Sequence, residues 1–278
     1  MDINMENLKT QLRTLKLAAI CQNLELRNRY ALQHKIGYIE FLELLVEDEM
    51  ANRQTNGYIN KLRESKLDTQ KVLDCYDFSY QPQVDKRQIY DLASCRFIDQ
   101  KHNVVFMGKP GVGKTHLAHA IGLEAVKKGK RVLFIHTNEM VEKLYSSRAD
   151  GSYAATIQKF LKPDLLILDE LGFKKMPQYS MEDFFEIIRK RYENGSMIIT
   201  TNRNFEDWGT LFGDKVIASA IIDRIVHHAT IVKLNGNSYR IKNLLELNGM
   251  FEDDPKEKSK RGRPKKSEDQ ENYENNNE

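Results

Sequence analysis

The sequence predicts an α/β fold in which a parallel five-stranded sheet lies between helices, preceded by a small helical N-terminal domain. Three observations carry this expectation. From about residue 103 onward, five short apolar, β-branched runs alternate with helical stretches. A glycine-rich segment ending in Lys-Thr follows the first run directly. Residues 1 to about 75 hold no comparable strand pattern. Strands that alternate with helices pair in parallel through crossovers, and both faces of such a sheet become buried.

In chain order, Met5, Leu8, Leu12, Leu15 and Ala19 fall at helical spacing, and Tyr38, Phe41, Leu42, Leu45 and Val46 do so again. Gly37 and the stretch QTNGY (54–58) read as breaks between helices. Residues 1–76 are thus expected to form the helical domain. DFSYQPQVDKRQ (77–88) reads as a connector, because Pro82 disfavours a regular helix there. The strands are expected at VVFM (104–107), VLFIH (132–136), LLILD (165–169), MIITT (197–201) and TIVKL (230–234). Between them Leu117, Ala118, Ile121 and Ala125 mark one helical face, and Met181, Phe184, Phe185, Ile188 and Tyr192 mark another. Residues 77–250 form this second domain. After Met250 apolar residues nearly vanish, so 251–278 reads as a disordered, charged tail.

Composition limits the function classes. Forty-three basic residues against forty acidic ones leave a net charge of +3, so a nucleic-acid surface has to be local. No apolar run approaches the roughly 18 residues of a membrane span, and the polar start MDINMENLK lacks the pattern of a signal peptide. Cys21, Cys75 and Cys95 are odd in number and form no CxxC pair, which favours reduced thiols and a cytoplasmic setting.

The chemistry concentrates at strand ends. Gly108, Lys109, Pro110, Gly111, Val112, Gly113, Lys114 and Thr115 fit G-x-x-x-x-G-K-[ST] between an expected strand and an expected helix. The glycines let successive backbone N–H groups curl around phosphate oxygens at a helix N-terminus, where the dipole favours anions. Lys114 is expected on the β- and γ-phosphates and Thr115 on Mg²⁺, with His116 next to them on the phosphate side. In LLILDEL (165–171), Asp169 is expected to complete the Mg²⁺ shell and Glu170 to polarise the attacking water, since a buried strand ending in two acids needs a cation or solvent at its tip. Asn202, in IITTNRNF (198–205), is placed to orient that water or sense the γ-phosphate. Arg224 and Arg240 are either solvated charges or the positive charge that a phosphoryl-transfer transition state requires.

GKPGVGKTHLA, LLILDELGF, IITTNR, DRIVHHA and SYR, together with FLELLVEDEMANRQ (41–54) and CYDF (75–78), resemble the IstB-like helper ATPases of bacterial insertion sequences. These are relatives of DnaC-type helicase loaders in the AAA+ superfamily, and the resemblance covers roughly residues 5–245. It implies an AAA+ P-loop NTPase fold, ATP with Mg²⁺, and ATP-dependent self-association on double-stranded DNA. It also implies bending of that DNA and its presentation to a cognate transposase. By the same resemblance Arg224 is an arginine finger reaching a neighbouring subunit, and Arg240 is the sensor-2 arginine. The chain stops soon after Arg240 and has little room for a full helical lid. The alternatives are a DnaC-like helicase loader, which would prefer single-stranded DNA, and a P-loop kinase of small metabolites, which would carry a mobile lid and an acceptor pocket.

Other signals have two readings each. His116 and His119 form H-x-x-H with Leu-Ala between them, which lacks the i, i+4 spacing and glutamate of a metalloprotease and suits packing or phosphate-side contacts. His227 and His228 read as structural. Lys143, Arg148 and Lys159, and likewise Lys174 and Lys175 past the acidic pair, are solvated helix or loop charges or else DNA contacts, as in related initiator ATPases. Phe78 and Tyr80 could stack on adenine or dock the connector to the core. In the tail, Arg261-Gly262-Arg263-Pro264 resembles an AT-hook, in which Arg261 and Arg263 would enter an A·T minor groove. Acidic neighbours such as Asp254 and Glu268 also suit a merely solubilising tail.

Overall fold

The computed structural model describes residues 3–173 and 176–241. The expected positions Lys174, Lys175, Arg261 and Arg263, and the tail 251–278, lie outside the described residues.

Three helices open the chain: α1 (Ile3–Thr14), α2 (Ala18–His34) and α3 (Tyr38–Ser65). Met5, Leu12, Ile20, Leu24, Phe41 and Leu45 close a small core between them. Polar ties hold the same helices. Asp48 accepts from Arg27 at 2.6 and 2.8 Å and from Asn23 at 2.9 Å. Glu49, buried on α3, accepts the backbone N–H of Ala19 at 2.9 Å and Ile20 at 3.4 Å. It thereby caps the start of α2, whose own N-cap residue Leu17 offers no side-chain acceptor. The break expected at Gly37 is there: α2 ends at the left-handed C-cap Lys35, and Gly37, with an extended ψ of 160°, is the N-cap of α3. The break expected at 54–58 does not occur. The polar residues that suggested a turn satisfy themselves within α3: Thr55 Oγ1 donates to Ala51 O (2.9 Å) and Asn56 to Asn52 (3.0 Å).

The connector is shorter than expected. Helix α4 (Lys86–Ala93) starts inside 77–88, because Asp85 accepts the N–H of Arg87 at 2.8 Å and caps it. A further turn, α5 (Arg96–Asp99), leads into the sheet. The periodic patterns had marked neither element, both being too short to show a period.

The sheet matches the expectation. Strands β1 (Asn103–Gly108), β2 (Val132–His136), β3 (Leu165–Leu171), β4 (Ser196–Thr201) and β5 (Ala229–Leu234) pair in the order β2-β3-β4-β1-β5, every pair parallel. Side chains alternate between two cores, as a strand's period of two requires. Val104, Phe106, Leu165, Ile167 and Ile198 face α4 and α6 (Lys114–Lys127). Val105, Met107, Leu166, Leu168, Met197 and Ile199 face α7 (Thr137–Ala149), α8 (Tyr153–Leu161), α9 (Gln178–Arg191), α10 (Trp208–Phe212) and α11 (Lys215–Val226). Leu62, Leu67, Leu73 and Tyr76 join the first core, so the end of α3 and the chain after it pack onto α6.

Pairing between β3 and β4 carries one irregularity. Leu168 opposes Ile199 and Leu171 opposes Thr201, so Asp169 and Glu170 together face Thr200. This is a β-bulge, and it sits where the two acids leave the strand.

Candidate nucleotide-binding and hydrolysis site

The carboxyl ends of β1, β3 and β4 converge on a cavity of about 410 Å³, a size suited to a small molecule. Ligands of open parallel sheets bind outside such strand ends. Residues 110–113 of the loop line it, and α6 starts there with its amide dipoles aimed into it. Gly113 caps the helix at φ 97°, and a Cβ there would lie 2.6 Å from the Tyr76 ring. Gly111, at φ 83°, is pressed against Ser238, whose Oγ would lie 2.0 Å from an added Cβ. Only glycine fits either position, and the resulting concavity of N–H groups suits an anion.

Lys114 Nζ donates to the carbonyls of Gly108 (2.7 Å) and Lys109 (2.8 Å), which places the ammonium across the loop. Burial pulls its pKa below the usual lysine value; Asp169 and Glu170 oppose that effect and Arg240 adds to it. These groups therefore share one electrostatic site.

Below the loop, Thr115 Oγ1 donates to Asp169 Oδ1 at 2.9 Å. Asp169 is buried, and Thr200 Oγ1 donates to the same Oδ1 at 2.6 Å. Its other oxygen lies 3.4 Å from His136 Nδ1. Thr137 Oγ1 holds the Asp169 carbonyl at 2.9 Å. A hydroxyl and a carboxylate side by side are the hard oxygen donors that Mg²⁺ takes alongside phosphates, so the residues present fit that ion.

Glu170 follows with φ 59°, a left-handed conformation that costs a non-glycine residue roughly 1–3 kcal/mol. The bulge turns its side chain out of the strand, half-exposed at the cavity wall. Its N–H, lost to the ladder, donates to Thr200 Oγ1 at 2.9 Å. Asn202 and Arg240 complete the wall. Arg240 is held there because Tyr239 N donates to Gly111 O at 2.9 Å. Tyr80 Oη and Gln81 Nε2 clasp the same segment through the carbonyls of Ser238 (3.3 Å) and Asn237 (2.9 Å).

The expected residues Gly111, Lys114, Thr115, Asp169, Glu170, Asn202 and Arg240 are thus brought together. His116 also lines the cavity, with Nε2 2.8 Å from the Val72 carbonyl. His119 belongs to the packing: it accepts from Asp68 N (3.1 Å) and stacks on Phe134, and burial drives its pKa down to about 4. Arg224 lies apart on α11, over the Phe185 ring and bonded to Ala220 O at 2.9 Å. Lys143 pairs with Glu139, and Arg148 pairs with the buried Asp183. Lys159 lines a separate cavity beside β2. Neither Phe78 nor Tyr80 lines the nucleotide cavity. Phe78 packs on Tyr76 and Tyr90, while Tyr76, Phe173 and Tyr239 bring aromatic rings to the wall. Sequence reading passed over Thr200, Tyr76 and Tyr239, whose proximity to the site depends on strand register and loop docking.

A strand–loop–helix anion cradle, an acidic pair on the neighbouring strand and a polar strand end beyond it define a P-loop ATPase of the AAA+ class. The chain belongs to the IstB-like ATP binding protein family, whose model matches residues 10–246. It is 39% identical to the IS5376 insertion-sequence ATP-binding protein of Geobacillus stearothermophilus, over 82% of this chain and 91% of that protein. It is 36% identical to the IS21 insertion-sequence ATP-binding protein of Pseudomonas aeruginosa, over 86% and 90%. The crystal structure of DnaI shares the fold, with a TM-score of 0.51 at 24% identity over 59% of this chain and 90% of that one.

Proposed function

We propose that this chain is the ATP-dependent helper of an insertion sequence. It assembles on double-stranded DNA and presents a bent or otherwise selected target to a cognate transposase. The observation that carries the ATPase half of this reading is the placement of Thr115, Asp169 and Glu170 under one phosphate loop, with Asn202 and Arg240 opposite. Lys114 and the loop amides bind the phosphates, Thr115 and Asp169 hold Mg²⁺, and Glu170 takes the proton of the attacking water, which Asn202 orients. When bound, Mg²⁺ supplies positive charge to the phosphate oxygens. Arg224, away from its own cavity, serves a neighbouring subunit's nucleotide, while Arg240 contacts the nucleotide in its own subunit. ATP then acts as an assembly switch, bridging subunits until hydrolysis removes the bridge.

The transposition half is supported by relatives that are insertion-sequence proteins along nearly their whole length. Residues 1–76 serve as the helical domain, 77–250 as the ATPase domain and 251–278 as a DNA tether. Among the described residues no helix is long and apolar enough to cross a membrane, and we place the protein in the cytoplasm with its DNA. Lys143, Arg148, Lys159, Lys174 and Lys175 are its candidate contacts to the duplex, with Arg261 and Arg263 adding minor-groove contacts.

The test uses purified protein with ATP, duplex DNA or single-stranded DNA, read by electron microscopy and sedimentation. Lys114→Ala is expected to lose nucleotide binding and assembly. Glu170→Gln is expected to bind ATP, fail to hydrolyse it and accumulate long-lived assemblies on duplex DNA. Assembly on single-stranded DNA alone would favour the helicase-loader alternative.

A further inference from the structure

We infer that Thr200 is a positioning residue of the hydrolytic site: its single hydroxyl sets the Asp169 carboxylate and the Glu170 backbone together. This inference rests on the ATPase reading above.

Two residues of β3, Asp169 and Glu170, share one partner on β4, and that partner is Thr200. A bulge leaves a backbone N–H without its ladder acceptor, and an N–H taken out of water without a partner is costly. Here the Glu170 N–H goes to Thr200 Oγ1 at 2.9 Å. The same oxygen donates its only proton to Asp169 Oδ1 at 2.6 Å. The hydroxyl therefore has one accepting and one donating role, and each points to a residue of the acidic pair. Thr200 is fully buried and β-branched, so its χ1 angle is confined and the hydroxyl cannot swing away.

Two consequences follow for the site. Asp169 Oδ1 is already shared by Thr115 and Thr200, which leaves the carboxylate plane anchored when the Thr115 hydroxyl turns toward a cation. The left-handed φ of Glu170, which aims its side chain outward, is held by the bond from its own N–H. Valine at position 200 would keep the shape and remove both bonds, releasing the Asp169 carboxylate and the Glu170 turn at the same time. The two hydrogen bonds of the Thr200 hydroxyl go to Asp169 and Glu170, so it acts through these two residues.

The experiment compares Thr200→Val and Thr200→Ser in the full chain. For Thr200→Val we expect kcat to fall by about 10- to 100-fold, the range seen when a residue supporting a metal ligand is lost. The affinity for a fluorescent ATP analogue without Mg²⁺ should stay within about twofold, since the loop and Lys114 are untouched. The Mg²⁺ concentration giving half-saturation with a non-hydrolysable analogue should rise by at least about threefold. Amide exchange in residues 169–172 should accelerate. Thr200→Ser, which keeps the hydroxyl, should restore most of each value. If the valine variant does not fold, Thr200→Ser against Thr200→Ala makes the same comparison, differing by one oxygen. Unchanged Mg²⁺ dependence and exchange in the variant lacking the hydroxyl would overturn the inference, as would an equal loss in the serine variant. Glu170→Gln in parallel separates the two readings: if it hydrolyses ATP normally, the hydrolytic reading itself fails; if it is inactive while Thr200→Val is normal, only the role of Thr200 fails.

Discussion

His119, which the sequence suited to packing or phosphate-side contacts, belongs to the packing in the fold. Its ring stacks on Phe134, and its Nδ1 accepts the Asp68 N–H, which requires the neutral form. Burial lowers its pKa from an ordinary value of about 6.5 to about 4. The native state therefore resists a proton that the unfolded chain accepts. The stability this contributes is complete above about pH 6.5 and is lost progressively as pH falls toward about 4, with an upper bound of about 3 kcal/mol. Denaturant midpoints measured across that window should fall more steeply for the wild type than for His119→Gln, which keeps an acceptor but does not titrate. Parallel slopes would remove His119 from the acid response.

Among the elements, α3 offers the plainest test. Gly57 lies in the middle of a 28-residue helix, and a Cβ added there meets nothing within 4 Å. Gly57→Ala should therefore stabilise the chain by roughly 0.5–1 kcal/mol through helix propensity and a less flexible unfolded state. Thermal unfolding checks this, and a drop in Tm would mean that the glycine serves some other purpose. The same helix marks where sequence reading fell short. Thr-Asn-Gly is a turn signal by local chemistry, but the tertiary packing of α3 on α6 and β2 overrides local preference. The strands were legible to within two residues because buried parallel strands are continuous β-branched runs, and the phosphate loop was legible because its glycines have no substitutes. Asp169 and Glu170 could be found as residues. The bulge that aims them could not, since a register shift is a property of two strands and is written in neither.

At the scale of the whole molecule, Arg224 poses the question of assembly. Its guanidinium lies over Phe185 on the far side of the sheet from the loop's helix and is not among the residues around its own nucleotide cavity. If it completes a neighbour's site, Arg224→Ala and Lys114→Ala should each be inactive alone, and mixing them should restore hydrolysis at interfaces that pair an intact loop with an intact arginine. ATPase activity plotted against mixing ratio should pass through a maximum. A flat line would exclude a shared site.

The clasp over the phosphate loop also bears on when the protein becomes competent during its own synthesis. Tyr80 and Gln81 reach across 158 and 156 residues of chain to the carbonyls of Ser238 and Asn237. Contacts of that sequence separation carry a loop-closure cost that nearer contacts do not. A chain emerging from the ribosome therefore carries its glycine loop and both acids well before the wall that holds Arg240 exists. If Arg240 contacts the nucleotide as proposed, a chain truncated before residue 236 should bind a fluorescent ATP analogue more weakly than the full chain.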